Sequence, residues 1–362
     1  MFRSKTNPEF RTQLTAGASS IFGYMLAVGV ALVAALIVLM AFSASRGSAD
    51  PRPDHYSLPT EARYPEGIAA ENKSGTFYVS SALDGSIYRG NVKTENLELF
   101  LPGGEDGRMQ ALGMTLDDER RLYVAGGFFG NVFIYDTSSG ELVRSFGTQG
   151  AGSLLNDVTV NPRSGDAYVT DSLRPIIWRV PAEEVTNDSP EGQLDPWLNL
   201  TDSTTIEYTD DGDPQNFSAQ DVNLNGIVAT PDGRYLLTVQ SNTGNLYRID
   251  TQTKQVSLVE NLGEATLING DGLVLKGHTV YVVRNEEDLI TEVLLNGLFT
   301  SGRVKGNTTV PDPYPDPEEG DFPTTGALVR GRLLVVNSQF NKGFLGPGEP
   351  EIPFTVSSMR VP

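Results

Sequence analysis

The sequence predicts an all-β fold, a six-bladed β-propeller preceded by a single N-terminal transmembrane helix. A unit of roughly 40–50 residues recurs six times, which is the spacing of propeller blades. Each copy contains a short apolar strand, a turn with Asp, Asn or Gly, a strand rich in Tyr, Val and Leu, and a third strand. Helical periodicity is absent after residue 45. The copies begin at residues 65, 111, 155, 224, 270 and 324.

Before the repeats lies an apolar run without charged residues, Ile21–Phe42, which is long enough to span a bilayer as a helix. Basic residues precede it, so the positive-inside rule favours a cytoplasmic N-terminus. A long signal peptide is the alternative. We therefore expect a membrane-anchored protein with an extracytoplasmic propeller, secreted if the segment is cleaved. The predicted regions are a cytoplasmic segment (1–20), a transmembrane anchor or signal peptide (21–44), a tether (45–63) and the propeller (64–362).

Within the propeller, the last repeat lacks an obvious outer strand. Residues 353–361 are predicted to supply its third strand, and the segment at Tyr56–Leu58 its fourth, which would close the ring. Two stretches interrupt the spacing, the acidic residues 182–223 and the Pro- and Gly-rich residues 299–323. We expect both to form surface loops, where propellers usually carry function.

The composition limits the chemistry that this fold can perform. The chain has 362 residues, 46 acidic against 27 basic residues, a net charge of −19, no cysteine and two histidines. Such acidity argues against nucleic acid as a partner, because neutralising phosphates requires a basic surface. The absence of cysteine excludes disulfides, thiolate nucleophiles and zinc–thiolate sites. A site in this protein must therefore rely mainly on carboxylates and other oxygen donors.

Aligning the first strand of each repeat places one residue per blade beside the central channel. Four of the six carry oxygen, as two carboxylates and two amides. Oxygen-only ligands favour a hard cation, and flexible geometry favours Ca²⁺ over Mg²⁺. The alternative is that these polar side chains only bind water and backbone groups in a wet channel. The aligned residues are Glu66, Leu112, Asn156, Asn225, Asp271 and Thr325.

The segments PEGIA (65–69), LND (155–157), NGI-x-x-x-PDG (225–233) and DGL (271–273) resemble the senescence-marker-protein/gluconolactonase (regucalcin-like) family. The resemblance extends over nearly all of residues 64–361 as spaced segments. It implies a six-bladed propeller with a divalent cation, commonly calcium, at the channel mouth. The residues at the family's metal and substrate positions are Glu66, Asn225 and Asp271, with Asn156 beside them to contact metal or substrate.

The resemblance implies a metal-dependent hydrolase of lactones or esters. Asp271 is the predicted acceptor of the proton from the attacking water, and Asp157 is the alternative. Sugar-lactone hydrolases of the family carry an arginine where this chain has Leu154, so we expect a less polar lactone or ester as substrate.

Ends of the second strands are predicted to line the same mouth, where Arg284 would supply a cationic group for substrate binding beside Asn156. These ends are Ser81, Asp171, Gln240, Arg284 and Asn337. Two other functions remain open: a non-catalytic extracytoplasmic binding or scaffold propeller stabilised by calcium, and an enzyme resembling strictosidine synthase. The expected partners are thus a small-molecule substrate and, through residues 21–44, a membrane.

Overall fold

The fold was analysed in a computed structural model. It describes residues 52–150, 152–187, 189–209, 221–262, 267–311, 313–314 and 320–361. The predicted membrane segment at 21–44 lies outside the described residues. Among the residues that are described, no helix combines the length and apolarity needed to cross a bilayer.

Six sheets form the six blades of a propeller, and each contains four antiparallel strands. Blades 1 to 3 contain β2 (Pro65–Glu71), β3 (Thr76–Ser81), β4 (Ile87–Asn91) and β5 (Glu98–Leu101); β6 (Met114–Leu116), β7 (Arg121–Ala125), β8 (Asn131–Asp136) and β9 (Leu142–Gly147); and β10 (Leu155–Val160), β11 (Ala167–Asp171), β12 (Ile176–Val180) and β14 (Asp195–Asn199).

The remaining blades complete the ring. Blades 4 to 6 contain β15 (Leu224–Ala229), β16 (Tyr235–Gln240), β17 (Asn245–Asp250) and β18 (Val256–Leu258); β19 (Gly270–Lys276), β20 (Thr279–Arg284), β21 (Leu289–Leu295) and β22 (Gly302–Thr309); and β23 (Pro323–Val329), β24 (Arg332–Asn337), β25 (Thr355–Arg360) and β1 (His55–Ser57). The six-bladed propeller predicted from the repeats is confirmed.

Blade 6 is closed by the two ends of the described chain. β1 pairs with β25, with Tyr56 opposite Val356, and so provides the outermost strand of the sheet. The predicted closure is therefore present, and the propeller includes residues 55–57, ahead of the expected boundary at residue 64. Tyr56 is fully buried and packs edge-on against Phe77 of blade 1, at 5.1 Å between ring centroids, so the closing strand also joins the first and last blades.

Apolar side chains fill the spaces between neighbouring blades. Between blades 1 and 2, for example, Tyr78 and Ile87 pack with Leu122 and Val124 in one buried cluster. Strand residues alternate between the two faces of each sheet. Each blade is therefore covered on both faces by its neighbours, which explains why strands such as β7 and β16 are apolar almost throughout.

The two stretches expected to be loops contain strands. Residues 182–223 include the short helix α1 (Ala182–Val185), the strand β13 (Glu191–Gln193), and β14, the outer strand of blade 3. β13 pairs in parallel with β9 and covers the edge of blade 2. Residues 299–323 include β22, the outer strand of blade 5, which is mostly exposed. An exposed outer strand can be polar along its whole length, so its sequence resembles a loop.

A register shift at the start of the first strand is repeated in five blades. In blade 1 the pairing changes between Pro65 opposite Ser81 and Ile68 opposite Val79, so one extra residue lies on the first strand. Blades 3, 4, 5 and 6 have the same irregularity at the equivalent place. A bulge of this kind redirects the side chains beside it. Here it falls at the residues that face the channel.

Glycines next to these channel residues allow the blades to approach closely. A Cβ on Gly67 would lie 2.2 Å from the carbonyl oxygen of Leu112 in blade 2, and one on Gly226 would lie 2.2 Å from that of Asp271 in blade 5. Both contacts are to backbone of the next blade. The absence of a side chain at these positions therefore sets how tightly the first strands surround the axis.

Candidate functional site

A cavity opens where the first strands begin, on one face of the propeller. Its empty volume is about 760 Å³, including the open mouth. All four residues predicted as metal ligands line it: Glu66, Asn156, Asn225 and Asp271. Each belongs to the first strand of a different blade, β2, β10, β15 and β19, and each is buried. The structure thus brings together four oxygen-bearing side chains that are far apart in the sequence.

Serine residues orient the two amides. Asn156 Nδ2 donates to Ser172 Oγ at 2.9 Å, and this hydroxyl donates to the carbonyl of Leu224 at 2.7 Å. A hydroxyl has one proton, so the Ser172 oxygen can only accept from the amide. The amide nitrogen must therefore face the serine. This leaves Asn156 Oδ1 for the cavity.

The fourth-blade amide is held in the same manner. Asn225 Nδ2 donates to Ser241 Oγ at 3.2 Å, and Ser241 donates to the carbonyl of Gly270 at 2.5 Å. Each serine hydroxyl reaches the first strand of the next blade. The link that orients the amide therefore also joins adjacent blades, so the position of the donor oxygens depends on blade packing.

Two buried oxygens in the cavity have no hydrogen-bond partner, Glu66 Oε2 and Asn156 Oδ1. A buried polar atom without a partner is destabilising by about 1–3 kcal/mol, more when it is charged. Both atoms are acceptors. They therefore require either a donor or a cation in the cavity.

The carboxylates in this region repel one another. Burial and the negative charges of Asp271 and Asp157 hold the pKa of Glu66 well above its usual range. Burial and the charge of Asp157 raise the pKa of Asp271 to about 8, against the lowering effect of hydrogen bonds from Asn285 and Asn225. No basic side chain is found among the described residues that line the cavity. A bound cation would supply the missing positive charge.

Asp157 does not line the cavity, although it is the residue after Asn156. Its Oδ2 accepts the backbone N–H of Ile227 in blade 4 at 3.0 Å, and its Oδ1 accepts that of Val158 at 2.8 Å. Burial raises its pKa to about 7, although both backbone hydrogen bonds lower it. Asp157 is therefore positioned to join blades 3 and 4 and to influence the cavity through its charge.

Arg284 also lies away from the cavity. Its Nε donates to the carbonyl of Ile268 at 2.9 Å, and its Nη2 forms an ion pair with Glu287 at 2.9 Å. The next residue, Asn285, lines the cavity instead and donates from Nδ2 to Asp271 Oδ2 at 3.2 Å. At this place the cavity is lined by a neutral amide and not by the expected cationic side chain.

The displacement by one residue is common to the aligned second-strand ends. Arg284 pairs with Gly270, as Ser81 pairs with Pro65, so the aligned second-strand ends are equivalent but lie one residue before the positions that face the channel. In blade 6 the offset is on the first strand and in the opposite direction. There Thr324, and not Thr325, occupies the position of Glu66, and its hydroxyl donates to the carbonyl of Glu66 at 2.7 Å.

An apolar wall lines part of the cavity. Leu112 and Leu154, both singled out in the sequence, form a small buried cluster with Ala82, separate from the cores between blades. Aromatic residues from loops, which the sequence did not indicate, extend this wall, notably Phe128 in the β7–β8 loop and Phe344 in the β24–β25 loop. Loops have no periodic pattern that would reveal which side chains face inward. In the sequence, only the phenylalanine residues within 340–354 indicate that part of this loop is buried.

The donor set fits a hard divalent cation. Within the described ranges there is no cluster of three or more His, Cys, Asp or Glu residues with metal-binding geometry. The present set instead combines two carboxylates with two amides, a combination that Ca²⁺ accepts. Two of its oxygens are the partnerless acceptors described above. The observations support Glu66, Asn156, Asn225 and Asp271 as the group that would hold such an ion.

The fold and the cavity together define a six-bladed β-propeller with a polar site at the mouth of its channel. No protein-family model and no curated protein sequence matches the chain. Solved structures do match it: a calcium-binding protein, regucalcin, from Agrobacterium tumefaciens has 17% identity and a TM-score of 0.56 over 86% of this chain and 96% of that one.

Two further solved structures with a similar fold belong to proteins of other kinds. The major allergen Mala s 1 of Malassezia sympodialis has 16% identity and a TM-score of 0.60, over 85% of this chain and 96% of that one. Virginiamycin B lyase from Staphylococcus aureus has 9% identity and a TM-score of 0.51, over 85% and 98%. At these identities the similarity establishes the propeller fold, and function must be argued from the site.

Proposed function

We propose that this protein is a hydrolase of lactones or esters that depends on a divalent cation, most simply Ca²⁺, bound by Glu66, Asn156, Asn225 and Asp271. The observation that carries the proposal is the pair of buried, partnerless oxygens, Glu66 Oε2 and Asn156 Oδ1, in a cavity with two carboxylates. The calcium-binding description of the regucalcin neighbour is consistent with it. The gluconolactonase-like segments of the sequence point to the same class of reaction.

When bound, a hard cation polarises the substrate carbonyl and stabilises the negative charge that hydrolysis develops on its oxygen. The protein's own residues orient the donor oxygens and accept the proton. Asn156 and Asn225 present amide oxygens whose orientation is fixed by Ser172 and Ser241. Asp271 accepts the proton of the attacking water, and the amide of Asn285 holds its carboxylate in place.

The apolar wall influences both binding and chemistry. Leu154 stands where sugar-lactone hydrolases of the resembled family have an arginine, and it packs with Leu112 and Ala82. A polyhydroxylated substrate would leave hydroxyl groups without partners against this wall, which is unfavourable. A neutral, less polar lactone or ester avoids that penalty.

Two measurements on the purified protein test the proposal. Calcium should raise the melting temperature, because an ion bound only by the folded state at 100 times its Kd stabilises by about 2.7 kcal/mol. A panel of lactones and aryl esters should release acid, and a chelator should stop the release. Asp271→Asn should abolish the calcium-dependent stabilisation and lower turnover by about 10²-fold or more.

Asp118→Asn is the matched control, because Asp118 is an exposed carboxylate in the turn between β6 and β7. It should leave both measurements unchanged. A wild-type protein whose melting temperature and activity ignore both calcium and chelator would refute the proposal.

A second candidate is a non-catalytic binding or scaffold propeller. It is favoured by Leu112 at a channel position and by the lack of a basic side chain among the described cavity-lining residues. It predicts calcium-dependent stabilisation without turnover. A lyase or a strictosidine-synthase-like enzyme would be distinguished by product mass. Hydrolysis adds one water to the substrate, elimination leaves the total mass unchanged, and a strictosidine-synthase-like condensation joins two substrates into one larger product.

We also propose that the propeller is extracytoplasmic and anchored to a membrane by residues 21–44. Fractionation of cells that express the full chain would test this. The proposal expects the protein in the membrane fraction, with the propeller accessible to protease from outside, or in the medium if the segment is cleaved. Recovery in the cytosol would contradict it.

A further inference from the structure

The exposed apolar residues of this protein are concentrated on the face that carries the cavity. First strands begin at that face, so the loops from second to third strands and from one blade to the next also lie there. These loops carry eight of the eleven large exposed hydrophobic residues found in the described chain: Leu83, Met109, Phe128, Phe129, Ile268, Phe344, Leu345 and Ile352.

The remaining three lie elsewhere. Leu99 and Leu258 are on outer strands, and Leu298 is on the hairpin between β21 and β22, at the opposite face. Scattered exposed apolar residues need no explanation, but a concentration around a cavity indicates binding. The distribution therefore singles out the mouth of the channel.

Three of these eight exposed residues are also part of the cavity lining. Phe128 is 49% exposed, Phe344 38% and Leu345 45%, and all three line the cavity. Phe344 lies 5.0 Å from Phe340 between ring centroids, and Phe340 packs against the buried Leu112 and Leu154. The apolar lining is thus continuous from an exposed residue to these buried leucines. The oxygen donors line the same cavity.

The charge of the cavity limits what can occupy it. The two carboxylates that line it, Glu66 and Asp271, would balance the charge of a divalent cation, so the loaded site would have little net charge and would not require a charged ligand. A neutral carbonyl can lie at the oxygen donors once a cation is present. The group attached to that carbonyl would then lie against the apolar lining.

We infer that the substrate carries a linear acyl chain, which lies along Leu112 and Leu154 and leaves the cavity past a lip formed by Phe128, Phe344 and Leu345. This deepens the proposed function and relies on it only for the reaction at the carbonyl. A chain fits because the apolar lining is continuous from the buried leucines to the exposed Phe344. Each added methylene gains contact until the chain passes the lip.

Binding of straight-chain methyl ketones tests this inference separately from catalysis. They carry the carbonyl and the chain but contain no bond to hydrolyse. Titration calorimetry in the presence of calcium should show Kd falling up to about fourfold per methylene, the factor expected for burying one CH₂ group, and then levelling off for longer chains. The same length dependence should appear in kcat/KM for a series of aryl esters.

Phe128→Ala and Phe129→Ala form a matched pair of variants. The two residues are neighbours in one loop, with 49% and 54% exposure, but only Phe128 lines the cavity. Phe128→Ala should weaken binding of the long ketones about fivefold and leave the shortest unchanged. Phe129→Ala should bind the whole series as the wild type does.

The outcomes separate the two proposals. Length-dependent ketone binding without ester turnover would support the chain site and refute the hydrolase. Ester turnover without length dependence would support the hydrolase and overturn the chain site. Equal loss of binding in both phenylalanine variants would also overturn it, since the lip would then act as a general apolar surface, as in docking of a protein or a lipid layer.

Discussion

Gly226→Ala is the sharpest test of the idea that blade packing positions the cation site. Gly226 follows Asn225, and the added Cβ would lie 2.2 Å from the carbonyl oxygen of Asp271, 2.9 Å from the Leu273 nitrogen and 3.0 Å from the Gly272 carbonyl carbon. Non-bonded heavy atoms prefer about 3.5–4.0 Å. The first strands of blades 4 and 5 must therefore separate by about 1 Å or more.

The expected loss of stability follows from this overlap. Overpacking typically destabilises by about 1–3 kcal/mol, and contacts with backbone, which cannot rotate away, belong at the upper end. A loss of about 3 kcal/mol lowers the melting temperature by about 6 °C in a domain of this size. Because Asn225 and Asp271 flank the contact, the variant should also lose most of its calcium-dependent stabilisation.

Thermal denaturation followed by circular dichroism, with calcium and with chelator, measures both effects. Gly306→Ala is the control, because an added Cβ there meets no atom within 4 Å. It should change stability by less than about 0.5 kcal/mol. A Gly226→Ala protein that melts with the wild type and responds equally to calcium would refute the reasoning.

Three further predictions concern the candidate cation site and the closure of the ring. Ser172→Ala frees the amide of Asn156 to rotate and should weaken calcium binding about tenfold in a calorimetric titration, while the chelated protein folds normally. In chelator, stability should fall as pH rises from about 4 to 8. The reason is that the pKa values of Asp157 (about 7) and Asp271 (about 8) in the folded state exceed those in the unfolded chain, so the folded state holds more protons. Calcium should reduce this dependence on pH, and a melting temperature independent of pH in chelator would contradict the prediction. Deleting β1 should expose β25 and the buried face around Phe77, and therefore lower the melting temperature and promote aggregation seen by light scattering.

The fold was predictable because every blade repeats the same local signals. Alternating apolar residues and turns that contain Gly placed most inner strands within one or two residues, as for the repeat starting at residue 224, where β15 begins. The outer strand β22 was missed because it is exposed along its length and carries no alternation. β14 was missed for a related reason, since polar residues surround it.

The channel-facing residues of the first strands were also predictable, since equivalent residues of successive blades must meet near one axis. The bulge was not, because one extra residue in a strand leaves no mark in the hydrophobic pattern. The two one-residue offsets are alignment errors: in blade 6 Thr324 and not Thr325 is equivalent to Glu66, and in blade 5 the cavity is lined by Asn285, the residue after Arg284. The lip residue Phe128 was unpredictable because it lies in a loop.

Closure of the ring by β1 has a consequence for the order of folding. β1 contacts blade 1 through Ser57, whose N–H donates to the carbonyl of Glu95, but its strand partner β25 is separated from it by almost the whole propeller. Tyr56 and Phe77 belong to a buried cluster that is completed only by Phe354 and Val356 of blade 6. The disc is therefore completed late, in a contact between residues about 300 positions apart, and long-range contacts of this kind form slowly. Until that moment the edge of β1 that faces β25 has no partner strand.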